Sequence, residues 1–434
     1  MTSLSAPVLS EATAAFCFFC ILLIPSAAAG LAVMNAGLGR SRSVAHSLLS
    51  ALCVIACAGL TYFTIGFAWQ GYLGRQTRVF WIDGKAWSWI GSERFLLRGI
   101  EFDGSAGSLA VVFGMFAVQL AAIIPLGAAA ERWRLRASCT STILFAGLIY
   151  PLFAHWTWGG GWLAQLGINY HLGRGFIDSG GASSIQAVGG LTALAIAWIV
   201  GPRRGKFQQQ GIPTAMPAHN AAFVLFGCFL VWLGYLAIDC AGAILFNHVQ
   251  AGHATLIPVN VTLAGGSALL AASGITQARF GKVDASLCAN AWVAGLAASA
   301  AGCAVVRPAG AVLIGLIGGA LLVLSVEWLE LYFKLDDPGG AISVHGLGGL
   351  WGTLGVGLFA PYSGSRNDQD QWLAQVVGIA TLVGFVLPVA YGSNWVLDKL
   401  LAQRVTPEGE RQGLDLYELG TGAYPDFMTH NDEY

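Results

Sequence analysis

The sequence predicts an all-α integral membrane protein, with eleven transmembrane helices that carry an inverted five-helix repeat around a central pore. Three observations lead there. Of 434 residues, 56% are hydrophobic and only 10% charged, with a mean hydropathy of +0.64, whereas a soluble globular chain carries about 25% charged residues. Apolar runs long enough to cross a bilayer, about 20 residues each, recur between short polar or Gly/Pro-rich stretches. One Gly-rich string occurs twice.

The apolar runs place spans near 12–34, 46–72, 108–130, 137–157, 182–201, 217–240, 255–275, 285–304, 309–331, 340–361 and 374–398. They make one membrane domain over 1–398, followed by a polar tail over 399–434. The first run lacks the basic stretch that opens a signal peptide, so it reads as a span. With the N-terminus outside, the short inner loops hold Arg40, Arg42, Arg132, Arg134, Arg136, Arg203, Arg204, Lys206, Arg279, Lys282 and Lys334, against Arg174, Arg307 and Arg366 in the short outer loops. That bias puts the N-terminus outside and the tail in the cytoplasm. The long 73–107 segment, with Trp81, Trp87, Trp89 and Phe95, is expected to pack as a loop over the outer mouth.

The repeated string reads DSGGASSIQAVGGL from Asp178 to Leu191 and DPGGAISVHGLGGL from Asp337 to Leu350. The copies open the fifth and tenth expected spans, so they run in opposite directions, the signature of an inverted-repeat transporter with its site at midplane. Gln186 and His345 occupy the same place in the two copies and are expected to face each other. Asp178 and Asp337 are expected to cap the helix starts, meeting exposed N–H groups and the positive end of the dipole.

A charged residue at membrane depth costs about 2.5–3.5 kcal/mol on insertion scales, so intramembrane His, Gln and acids are candidates for function. His345, in an apolar stretch, can act as a neutral imidazole that donates from one nitrogen and accepts at the other. In the run HWTWGGGW, His155 to Trp162, Trp158 offers a ring face for a cation, or serves as an interfacial aromatic. Of the nine cysteines, the close pairs Cys17 with Cys20 and Cys53 with Cys57 lack the partner ligands of a zinc site, and all read as packing residues. The net charge of -1 and the absence of basic runs with interleaved aromatics set nucleic-acid binding aside. No cofactor or metal site emerges, and no nucleophile–base set suggests an enzyme. Glu131 with Arg132 and Arg134 reads as an ion cluster at a helix end.

The strings GAAAERWRL (127–135), WGGG (158–161), PAHN (217–220), DDPGGAISVHGLGGLWG (336–352) and GLDLYELGTGAYP (413–425) together resemble the ammonium transporter (Amt/Mep/Rh) family. The resemblance implies a homotrimer of eleven-helix subunits in a cell membrane, each with its own pore for ammonium or ammonia. It implies a tail lying across neighbouring subunits and, often, a cytosolic PII-type regulator at the inner face. The family's vestibule tryptophan matches Trp158 and its second pore histidine matches His345. Its first pore histidine falls on Gln186. Of its phenylalanine gate, the outer member falls near Phe113 or Phe116 and the inner one on Ile238, while Gly242 stands where a serine often helps to bind the cation.

Ammonium resembles potassium in size, but only ammonium has N–H donors for an acceptor in an apolar pore to recognise. A histidine pair can relay a proton, whereas a glutamine amide cannot titrate near neutrality. Gln186 is therefore expected to interrupt a relay, giving ammonia passage without stoichiometric charge movement. The alternatives are an ammonium sensor signalling through the tail, and a conduit for another small neutral molecule such as methylamine or carbon dioxide.

Overall fold

The computed structural model describes residues 6, 8–207, 211–361 and 370–424; Arg366 and the tail beyond Tyr424 lie outside them. Among the described residues, ten helices are long and apolar enough to cross a membrane: α1 (Glu11–Leu38), α2 (Ser41–Gln70), α3 (Ala106–Ala128), α4 (Leu135–Thr157), α5 (Ala182–Val200), α6 (Ala221–Asn247), α7 (Ala251–Phe280), α9 (Pro308–Leu331), α10 (Ile342–Phe359) and α11 (Gln371–Leu400). Between them α8 (Ala285–Ser299) is apolar but shorter, because the chain leaves the helix for turns near Ala300, where the expected span continued to 304. Side chains cap the helix starts: Ser10, Ser105, Asn220 and Asp284 each accept from a backbone N–H three residues on.

The chain is not wholly helical. Strands β1 (Thr77–Ile82) and β2 (Lys85–Gly91) pair antiparallel where the sequence reading expected a loop. Asp83 and Gly84 both take positive φ, 51° and 72°, which suits a two-residue hairpin turn. Trp89 of the hairpin stacks on Trp162 at 6.4 Å, and its carbonyl accepts from Trp156 Nε1 at 2.8 Å. The hairpin is thus fastened to the end of α4, beside Trp158.

Lipid tails are as apolar as leucine, so close helix contact in a membrane relies on small residues. A Cβ added to Gly30 or Gly234 would overlap the facing backbone of α6 or α1, and one added to Gly315 or Gly319 would overlap that of α7. The repeated elements cross in the same way. Each opens with a six-residue π-helical turn, Ala182–Ala187 and Ile342–Leu347. A Cβ on Gly190 would fall on the backbone of Gly346, and one on Gly349 would fall on Ala187. Gly190 and Gly349 are equivalent positions of the two copies, as are Ala187 and Gly346, so the packing is reciprocal. Gly190→Ala is expected to force the helices apart and cost about 1–3 kcal/mol, as overpacking does; thermal unfolding in detergent checks it, and an unchanged midpoint would mean the crossing can yield.

A buried ion network closes one end of the bundle. Glu131 accepts from Arg40 and, at 2.7 Å, from Arg203. Asp336 accepts from Arg203 N, Nε and Nη2 at 2.8, 2.9 and 3.0 Å. Arg132 is fully buried and donates to the carbonyls of Gly201 and Asp336, while Arg134 donates to the Arg404 carbonyl. The expected Glu131–Arg132–Arg134 cluster is therefore corrected: Glu131 takes its partners from other loops. The tail docks on the same end. Asp415 accepts from the N–H groups of Ala45 and His46 at the start of α2, and Glu418 accepts from His46 Nε2 and Leu135 N.

Candidate functional site

The π turns bring Gln186 and His345 together. His345 Nδ1 lies 2.7 Å from Gln186 Oε1, with both side chains buried. Tyr235 of α6 donates to the same oxygen at 2.8 Å. An amide oxygen only accepts, so in this arrangement His345 carries its hydrogen on Nδ1 and leaves Nε2 as an acceptor. His345 borders a small cavity lined by Leu31, Met34, Asn35, Ile124, Asn290, Val293 and Val344. The lining side chains are apolar apart from the two amides and the imidazole, and Gln186 Nε2 has no hydrogen-bond partner among the described residues.

The aspartates sit at the openings of the two elements. Asp178 Oδ2 accepts from the N–H groups of Ser183 and Ser184 at 3.2 and 2.8 Å, and also from the Ser183 hydroxyl. Asp337 accepts from Ala341 N and Ile342 N at 2.9 and 2.7 Å. These bonds satisfy backbone donors that have no partner within their own helix.

Trp158 is buried and donates from Nε1 to the Asp178 carbonyl at 2.7 Å. Phe246, from the end of α6, lies flat on its ring, with centroids 4.7 Å apart and planes at 5°. Phe113 meets both rings edge-on, at 5.5 and 5.3 Å. Phe116 is half-buried and packs against the core. Of the two residues offered for the outer gate, Phe113 is the one against Trp158. Ile238 is fully buried on α6. Gly242 has no room for a serine side chain, because a Cβ there would overlap the Ser179 carbonyl.

His155 hydrogen-bonds Ser88 of the hairpin at 3.0 Å and the Gln70 carbonyl at 2.7 Å, which gives it a structural place. Three residues were missed in the sequence: Tyr235, Phe246 and Asp239, which is fully buried on α6 against Gly180. Asp239 left a readable signal, as the lone acid in the apolar run Ala221–Asn247. Tyr235 and Phe246 left none, since aromatics are ordinary in such a run.

These features define the class: a polytopic membrane protein whose long, glycine-packed helices enclose a hydrogen-bonded polar pair in apolar surroundings. The profile described as Ammonium Transporter Family matches residues 15–424. Ammonium transporter Amt2 of Archaeoglobus fulgidus is 33% identical over 430 residues, covering 95% of this chain and 88% of that protein. The ammonium transporter of Bacillus subtilis is 31% identical over 430 residues, covering 95% and 98%. The chain belongs to the ammonium transporter family. Among solved structures, one titled Sensor Amt Protein superposes with a TM-score of 0.84 at 28% identity, covering 94% of this chain and 98% of that one. Candida albicans Mep2 gives 0.79 at 20% identity, covering 98% and 93%, a likeness of fold.

Proposed function

We propose that this protein moves ammonium nitrogen across a cell membrane. The cation is recruited beside Trp158, and neutral ammonia passes the Gln186–His345 pair, through a pore in each subunit of a homotrimer. The observation that carries this reading is the hydrogen bond between Gln186 and His345, buried in an apolar wall with the imidazole acceptor left over. Such an acceptor suits a molecule with N–H donors, whereas one lone pair in apolar surroundings cannot replace the hydration shell of potassium. With Gln186 in the pair, protons do not follow the ammonia. The N-terminus lies outside, the tail lies in the cytoplasm, and a PII-type protein is the expected regulator there.

Uptake by vesicles containing the purified protein tests the reading. His345→Ala is expected to lower ammonium uptake by about tenfold to a hundredfold, the effect of losing one buried hydrogen-bonding partner. Unchanged uptake would make His345 a packing residue. A second reading, an ammonium sensor with weak transport, draws support from the likeness to the structure titled Sensor Amt Protein and from Phe246 covering the Trp158 ring. Ammonium binding without measurable uptake would favour it.

A further inference from the structure

Beside the hairpin runs a groove of about 580 Å³, within the roughly 300–1,000 Å³ of small-molecule sites. Its walls include Phe80 and Ile82 of β1, Trp87 and Trp89 of β2, Tyr170 of the short helix Leu166–Tyr170, and Val377 of α11. No charged side chain lines it, and it shares no residue with the Gln186–His345 pair. Phe80, Ile82, Trp89 and Tyr170 are all exposed. An exposed apolar patch of this kind marks a membrane or partner site.

The contribution of α11 points to the membrane. Trp372, Val376, Ala380 and Val383 are exposed at helical spacing, which puts them on one face. Val377 borders that face, so the groove continues a surface suited to hydrocarbon. The helix has 30 residues, about 45 Å at 1.5 Å each, which matches the roughly 40–45 Å of a bilayer with its headgroups. Val377, six residues in from Gln371, lies about 9 Å along the axis, at the depth where acyl chains meet headgroups.

The rim supplies polar partners of one kind. Lys85 Nζ lies 4.0 Å from the centre of the Tyr170 ring, and no carboxylate among the described residues pairs with it. A lysine ammonium binds phosphate as a point charge. Trp87 and Trp162, both on the groove, have indole N–H groups with no hydrogen-bond partner among the described residues. Buried donors without acceptors are costly, so the groove calls for oxygen acceptors beside a negative charge.

We propose that the groove seats an acyl chain of an anionic phospholipid, with its phosphate against Lys85 and its ester oxygens serving the Trp87 and Trp162 N–H groups. A zwitterionic headgroup carries an ammonium of its own, which Lys85 repels. The proposal does not depend on what the pore carries. A seated lipid braces the hairpin and, through the Trp89 carbonyl held by Trp156, the end of α4 beside Trp158.

Mass spectrometry of the intact, detergent-purified protein, titrated with phosphatidylglycerol and with phosphatidylcholine of the same chains, tests this. The wild type is expected to bind its first phosphatidylglycerol about fivefold more tightly, the worth of one lysine near an anionic headgroup. Lys85→Gln should erase that preference, and Val377→Trp, which fills the groove, should weaken binding of both lipids. Equal binding of the two lipids by the wild type, or a preference that survives Lys85→Gln, overturns the proposal. If Val377→Trp instead changes the number of subunits and leaves lipid binding as it was, the groove seats a second copy and the proposal falls. The wild-type comparison decides the matter even if Val377→Trp misfolds.

Discussion

On a supported membrane, an ammonium pulse is expected to alkalinise the enclosed volume through ammonia entry without a sustained current, and Gln186→His is expected to produce one. The reason is the chemistry of one atom. In the wild type, Gln186 Oε1 accepts from both Tyr235 and His345 Nδ1. It neither receives a proton for keeping nor releases one, so charge has no stepwise path along the pair. A second imidazole at position 186 restores a group that accepts at one nitrogen while releasing from the other. Tyr235 is well placed to keep that imidazole oriented. Robust charge transfer by the unmodified protein would refute the interrupted relay while leaving ammonia passage intact, and the two are separable because current and internal pH are read independently.

The largest loss of stability is expected from Asp336→Ala. Asp336 binds Arg203 through three donors, with Arg132 fully buried beside it. Removing the carboxylate leaves two buried guanidinium groups short of a counter-charge, a change that costs about 3–5 kcal/mol. Thermal unfolding in detergent measures it; a loss within experimental scatter would mean the arginines find other partners. The same carboxylate predicts a pH dependence. Burial alone would raise its pKa, but the Arg132 charge and the Arg203 bonds and charge overcome this and hold it at about 2. A depressed carboxyl stabilises fully above its unfolded value of about 3.9. Its contribution should therefore be complete above about pH 5 and fade as pH falls toward 2, whereas Asp336→Asn should lack that fading component.

The central pair was readable because it is written twice. Once Gln186 and His345 occupy matched places in two copies of one string, an antiparallel crossing of the copies sets them opposite each other, and the glycines at 190 and 349 show why the crossing can be so close. Helix positions were readable for a related reason: in a bilayer every backbone group must be satisfied within the segment, so long apolar runs become helices. The hairpin at 77–91 was readable in principle, since Asp83-Gly84 lies between two aromatic-rich runs, but a membrane context drew the reading toward loop. The partners of Glu131 were not readable. Arg40 and Arg203 come from distant loops, and neighbours in sequence, Arg132 and Arg134, looked more natural. Phe246 was hidden too, because its role comes from lying parallel to an indole 88 positions earlier in the chain.

Under the proposed function, that parallel arrangement sets the Phe246 ring and the recruited cation in contest for one face of the Trp158 indole. Stacked rings attract each other by about 0.5–1.5 kcal/mol beyond simple burial, while a desolvated cation over tryptophan gains about 2 kcal/mol or more. On the proposed function, recruitment of a cation at Trp158 requires the Phe246 ring to leave the indole face it covers.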